Sequence, residues 1–180
     1  LAAIAASLLL GVSLDEAVKA LLSFKGTKRR LENVGSINGI TVVDDYAHNE
    51  EKIKASLNAL KGMGKNLFVV YQPHGFAPLQ LMKEGLIQML KTELNEDINW
   101  LMLPVYYVGG TVQKTISSQD IVSPLVECNK NAYSFETRSE ALAYLTKNAK
   151  SGDVIAVMGA RDDTLSLFAK EILNHMGDVK

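Results

Sequence analysis

The first apolar block, Leu1 to Leu10, is rich in Ala and Leu, and Gly11 follows as a stop, so a helix is expected there. Ser13 stands three residues before Glu16, the spacing at which a hydroxyl and a carboxylate satisfy each other's backbone amides at a helix start. Ala17, Leu21 and Phe24 give this second helix one apolar face, and Gly26 ends it. A helix pair of this size has no core of its own and must pack on something else.

The period changes after Gly26. Leu31 to Ile37 alternates, Asn38-Gly39 is a hairpin turn dipeptide, and Ile40 to Val43 is a β-branched run, so a hairpin with a two-residue loop is expected. From residue 50 onward, helical and strand patterns alternate. Helices are expected over 50–61, with Ile53, Leu57 and Leu60 on one face, and over 79–94, 118–126, 139–149 and 163–176. Short apolar runs between them predict strands over 67–71, 98–105, 131–135 and 154–158. This order predicts an α/β fold: a mostly parallel sheet of about six strands, helices on both faces, and the hairpin as an antiparallel edge.

Composition narrows the class. The chain has 180 residues, 47% hydrophobic and 22% charged, which suits one domain with a short attached piece. Nineteen Lys and Arg against twenty Asp and Glu leave a formal charge of −1, without the basic excess of a nucleic-acid binder. Cys128 is the single cysteine, so an internal disulfide and a cysteine-based zinc site are excluded, and a reducing cytoplasm is the expected location. The run from Leu1 to Val12 is shorter than the ~20 residues a membrane helix needs and lacks a basic leader, so no membrane partner is expected. The chain begins with Leu, which is read as a piece of a longer protein.

In open α/β sheets ligands bind beyond the carboxyl ends of the strands, so the residues that follow each strand matter most. Asp44-Asp45-Tyr46-Ala47-His48-Asn49 follows the first such strand, Gln72-Pro73-His74-Gly75 the next, and Gly159-Ala160-Arg161-Asp162-Asp163 the last. Two of three histidines and a dense set of carboxylates thus converge on one sheet edge. Each also has a plain reading. Asp44 and Asp45 could end a strand and cap a helix, and His48 and His74 could be hydrogen-bonded loop residues. Asp162 or Asp163 could cap the last helix, and Lys28-Arg29-Arg30 could be a solvated charge run. His175 suits a helix carboxyl end. Serine-hydrolase, zinc and phosphate-loop spacings are absent; Gly62-Met63-Gly64-Lys65-Asn66 precedes a strand where a phosphate loop would follow one.

Several of these stretches together resemble a known family. Leu1 to Ala6, Leu10-Gly11-Val12 and Phe24-Lys25-Gly26-Thr27-Lys28-Arg29-Arg30-Leu31-Glu32 are similar to the end of the central domain and the entry to the C-terminal domain of the Mur ligases. Val43 to Asn49 and Gln72-Pro73-His74 follow at the family's distances, and with Lys-Arg-Arg and the doubled Asp they point to the alanine-adding and murein-peptide branches. The resemblance implies a Rossmann-like C-terminal domain over 27–180, with 1–26 as the helical tail of a central ATP-binding domain. It implies an ATP- and Mg2+-dependent amide ligase of cell-wall precursor synthesis, whose phosphate loop and magnesium ligands lie mainly in the central domain. Its substrates would be a UDP-sugar precursor and an amino acid or peptide, its partners the N-terminal and central domains, and the fragment alone would be inactive.

By the same resemblance, Arg30 and Asp45 hold the ATP ribose. They stand fifteen residues apart, and so do Arg29 and Asp44, which leaves the register open by one. Tyr46, His48 and Asn49 face the nucleotide, while His74, Arg161 and Asp162 face the incoming substrate. The chain departs from the pattern at Gly75 and Pro78, which stand where the alanine-adding branch carries two arginines. Arg161 is the candidate replacement for that charge. A non-catalytic binding module on the same scaffold, a recycling ligase and a cyanophycin-like ligase are the competing readings.

Overall fold

The computed structural model describes residues 1–109 and 114–178. Among these, seven helices and six strands follow one another as α1 (Ala2–Leu9), α2 (Leu14–Ser23), β1 (Glu32–Ile37), β2 (Ile40–Asp45), α3 (Glu50–Leu60), β3 (Leu67–Gln72), α4 (Phe76–Glu93), β4 (Ile98–Met102), α5 (Gln119–Val126), β5 (Ala132–Ser134), α6 (Arg138–Asn148), β6 (Val154–Gly159) and α7 (Leu165–Asp178). They form one sheet in the order β1-β2-β6-β3-β4-β5. The β1–β2 pair is antiparallel and every other pairing is parallel. This is the α/β architecture the sequence pattern predicts, with the hairpin at the edge.

The local devices follow the expected chemistry. Asn38 and Gly39 take φ of 52° and 79°, the two positive values that a tight two-residue hairpin loop requires. Ser13 and Glu16 form the reciprocal cap at the start of α2. Helix α4 begins at Phe76, three residues before the expected start, with Gly75 as its cap. Pro78 is no obstacle there, because amides in the first turn have no helical partner to lose. Strand β4 stops at Met102, earlier than expected, and Pro104 lies just beyond it.

Side-chain parity divides the core in two. Val43, Leu67, Val69, Tyr71, Trp100, Val154, Ala156 and Met158 face α3, α4 and α5. Ile40, Val42, Phe68, Val70, Leu101, Ile155 and Val157 face α6 and α7. Each face buries a side chain at every second strand position, which is the geometry of a sheet covered on both sides. Helix α1 packs on α2, none of its residues is buried, and α2 buries Ala17. Leu9, Leu22 and Phe24 are 89%, 84% and 64% exposed, so this pair and the residue that ends it present an apolar surface to solvent.

Candidate functional site

The strand order creates a crevice. From β2 the chain passes through α3 to β3, and from β3 through α4 to β4, on one face of the sheet. It returns through α6 to β6, which lies between β2 and β3, and leaves on the opposite face as α7. At the carboxyl ends of β2, β6 and β3 the connecting loops therefore part in opposite directions, and that parting is where open α/β sheets place ligands.

Asp45, the last residue of β2, turns toward α3. Its Oδ1 accepts hydrogen bonds from the amides of Tyr46 (2.9 Å) and Leu31 (3.3 Å), and its Oδ2 accepts from the Ser56 hydroxyl. The residue is 4% exposed, on the floor of a cavity of about 290 Å3 that Arg30, Ala47 and Lys52 also line. A carboxylate has about four acceptor positions, so one is left to face the cavity. Arg30 is exposed at the rim, its guanidinium 5.4 Å from the Tyr46 ring centroid.

Asp44 turns the other way. Its Oδ2 accepts from Ser166 of α7 (2.5 Å), and its Oδ1 lies 3.7 Å from Nε of Arg29. Burial raises its carboxyl pKa above the usual range, against the opposing pull of the Ser166 hydrogen bond and the Arg29 charge. The two pairs lie on opposite faces of the sheet: Arg30 and Asp45 line the cavity beside α3, whereas Arg29 and Asp44 line a separate cavity of about 320 Å3 beside α7. Arg29 is also no member of a solvated charge run, since its side chain is only 15% exposed.

The loops after β2 and β3 bring two histidines together. The ring centroids of His48 and His74 are 5.6 Å apart, edge to face, and Tyr46 meets His48 in the same way at 5.3 Å. Nδ1 of His48 lies 2.8 Å from the Tyr46 carbonyl, so that nitrogen carries the proton and Nε2 is left for a ligand. The buried Tyr71 hydroxyl donates to the His48 carbonyl (3.2 Å), and burial raises its pKa. His74 is held by its backbone: the bridge to Tyr106, with Gly75 N–H donating to Tyr106 O (2.9 Å) and Tyr106 N–H to Pro73 O (2.8 Å), fixes the loop. Burial, the neighbouring His48 and the positive Arg161 all lower the pKa of His74.

Of the other expected residues, Asn49 spends its side chain as the cap of α3, accepting from the Lys52 amide at 3.0 Å. Arg161 is exposed on the opposite lip of the crevice with φ of 63°, within electrostatic reach of His74. Asp162 is buried and occupied. It accepts from Arg138 (2.6 Å) and from the amide and hydroxyl of Thr164. Gly75 has φ of 73°, and a Cβ there would come within 3.1 Å of Pro78, so this lip is shaped against any larger residue.

Arg138 has no warning in the sequence. It begins α6 and joins three elements, donating to Gln72 of β3 (2.6 Å), to Asp162 and to Thr164 (2.8 Å). Gln72 is an even-numbered residue of β3, so it faces α6 as Asp44 faces α7. Such a partnership spans 66 residues and becomes visible only in three dimensions.

A crevice at the switch point of a doubly covered sheet, lined by a buried carboxylate and a histidine pair, defines an α/β domain built to hold a ligand at its strand ends. Residues 29–161 match the family described as Mur ligase, glutamate ligase domain, and the chain belongs to that family. It is 34% identical over 163 residues to the UDP-N-acetylmuramate–L-alanine ligase of Lachnospira eligens, covering 90% of this chain and 35% of the relative. It is 36% identical over 168 residues to that of Clostridium novyi, with the same two coverages. The chain therefore spans about a third of the length of these relatives. In fold it is similar to the UDP-N-acetylmuramate-alanine ligase of Thermotoga maritima, with a TM-score of 0.72 and 22% identity over 98% of this chain and 36% of that one. A murein peptide ligase of Psychrobacter arcticus aligns with a TM-score of 0.65 at 22% identity, with the same coverages.

Proposed function

We propose that this chain is the C-terminal domain of an ATP-dependent amide ligase that joins an amino acid or peptide to UDP-N-acetylmuramate, with residues 27–180 as that domain and 1–26 as the helical tail of the central one. The observation that carries the reading is the Arg30–Asp45 cavity. A buried carboxylate with one acceptor position open suits a ribose hydroxyl, and the exposed Arg30 guanidinium at its mouth can donate to the same sugar. ATP supplies the phosphoryl group that turns an unreactive carboxylate into an acyl phosphate.

The chain's own residues then bind, orient and exclude water. Asp45 and Arg30 hold the nucleoside, and Tyr46, His48 and Asn49 form the wall beside it. His74, Arg161 and Asp162 border the side from which the amine arrives, Asp162 through its hold on Arg138. With its pKa lowered, His74 is neutral near pH 7 and leaves no second cation beside Arg161. Mg2+ belongs to the central domain in this reading. The working place is the cytoplasm, and the apolar α1–α2 surface packs on the rest of the central domain. Closure of this domain over the site would shield the acyl phosphate from water.

The test is to read the coding DNA upstream of Leu1. A Gly-x-x-Gly-Lys-[Ser/Thr] loop is expected there, and the whole protein should release phosphate from ATP when given UDP-N-acetylmuramate and an amino acid. An in-frame start just before Leu1, without that loop, would leave a binding module in place of a ligase. Gly75 and Pro78 favour one variant of the reading: with no arginine on that lip, the acceptor need not be free alanine. A screen of amino acids against murein peptides in the same assay separates synthesis from recycling.

A further inference from the structure

The Arg29 side chain reaches across the crevice, and it lies outside the proposed nucleotide cavity. Its Nη2 donates to the carbonyl of Gly159, the last residue of β6, at 2.9 Å. Its Nε is 3.7 Å from Asp44 of β2, and its Nη1 is 3.9 Å from Asp163 in the loop after β6. The guanidinium carbon stands 4.9 Å from the Tyr46 ring centroid. One side chain thus reaches the ends of two of the three strands that border the crevice, β2 and β6, which pair in parallel.

The backbone of Arg29 is equally committed. Its amide donates to Glu32 Oε2 (2.8 Å), and its carbonyl accepts from the Tyr46 amide (2.8 Å). It takes φ of 55°, and Leu31 takes 46°, values costly for residues with side chains. The surroundings therefore hold residues 29–31 in a shape they would not choose alone. Arg30 lies between these two strained positions, and the Leu31 amide is bonded to Asp45. Tyr46 is flanked by both guanidiniums, from Arg29 at 4.9 Å and Arg30 at 5.4 Å.

We propose that Arg29 is a positioning residue for the nucleotide site: it ties the ends of β2 and β6 together and so sets Arg30 and Tyr46 against the Asp45 cavity. The inference rests on the reading of that cavity as the nucleoside site. A planar fork with several donors can hold a carbonyl and face two carboxylates at once, which a lysine ammonium cannot do from one point. Arg29 does not touch the ligand in this scheme. Loss of its hold loosens the strained segment and lets Arg30 move away from its place at the rim.

The experiment compares Arg29→Lys and Asp44→Asn with wild type in the whole protein. It measures ADP affinity by calorimetry, KM for ATP, KM for the amino substrate, kcat and Tm. Arg29→Lys is expected to weaken ADP binding and raise KM for ATP about tenfold, with kcat and the amino-substrate KM within about threefold of wild type. Asp44→Asn keeps the Ser166 partner but loses the charge facing Arg29, and is expected to shift the same two quantities about threefold in the same direction. A fall in Tm with ADP affinity and both KM values unchanged would make Arg29 a structural clamp only and overturn the proposal. If Arg29→Lys fails to fold, Asp44→Asn decides on the same criteria. A wild-type protein that does not bind ADP would instead overturn the nucleoside reading itself, and the two failures are told apart by the wild-type titration.

Discussion

Asp44 and Asp45 are neighbours in β2, and their carboxylates lie on opposite faces of the sheet, one against Ser166 of α7 and the other against Ser56 of α3. Replacing them should have opposite consequences. Asp45→Ala strips the acceptor from the Leu31 amide and the Ser56 hydroxyl, while the Tyr46 amide keeps the Arg29 carbonyl, and is expected to cost about 1–3 kcal/mol. Asp44→Asn removes a charge that burial disfavours. Because the folded-state pKa of Asp44 is raised, the folded state keeps its proton longer than the unfolded state does above the ordinary value of 3.8. Its contribution to stability is therefore fully present below that value and is lost as pH rises through the raised pKa. Urea titrations from below the ordinary value of 3.8 up to about pH 8 should show the stability of Asp44→Asn improving relative to wild type toward the higher pH.

His74 carries the opposite sign. Its folded-state pKa lies below the ordinary 6.5, first because of burial and then because of His48 and Arg161. Between that depressed value and 6.5 the unfolded chain binds a proton that the folded chain refuses. The contribution of His74 is present above 6.5 and is lost as pH falls through the folded value. An NMR titration of the ring protons should give a midpoint below 6.5, and Arg161→Ala should move it upward. A midpoint that ignores Arg161→Ala would show that the two lips of the crevice do not sense each other.

Arg138 should matter to stability out of proportion to its partly exposed position. Arg138→Ala leaves the buried Asp162 carboxylate without its ion pair and Gln72 without a donor. A loss of about 3 kcal/mol is expected from chemical denaturation. Arg138→Lys should recover only part of it, because one ammonium cannot serve Gln72, Asp162 and Thr164 in the arginine's geometry.

Removal of residues 1–26 should leave the rest of the chain folded. Helix α1 has no buried residue and α2 buries Ala17, so little packing is lost. The Tm of the 27–180 segment is expected within about 2 °C of the longer chain. Solubility should rise, because Leu9, Leu22 and Phe24 leave with the segment. A collapse of the fold would show that the pair is integral to this domain.

Periodicity and local chemistry were enough for the elements. The alternation in β2, β3 and β6, the Asn38-Gly39 turn and the Ser13–Glu16 cap each depend on residues near one another in the chain, so their physics is written in the sequence. The convergence of Asp45, His48, His74 and Arg161 was also legible, because each follows a strand and strand ends share an edge. Tertiary structure alone decided which aspartate meets which arginine. Asp44 and Asp45 carry the same chemistry, and only the seating of β2 between β1 and β6, with α3 and α7 on opposite faces, sends one to Ser56 and the other to Ser166. The same holds for Arg29 and Arg138. Each makes a hydrogen bond with a group far along the chain, 130 residues away at Gly159 and 66 at Gln72, and no local pattern encodes a contact that exists only once the sheet has assembled.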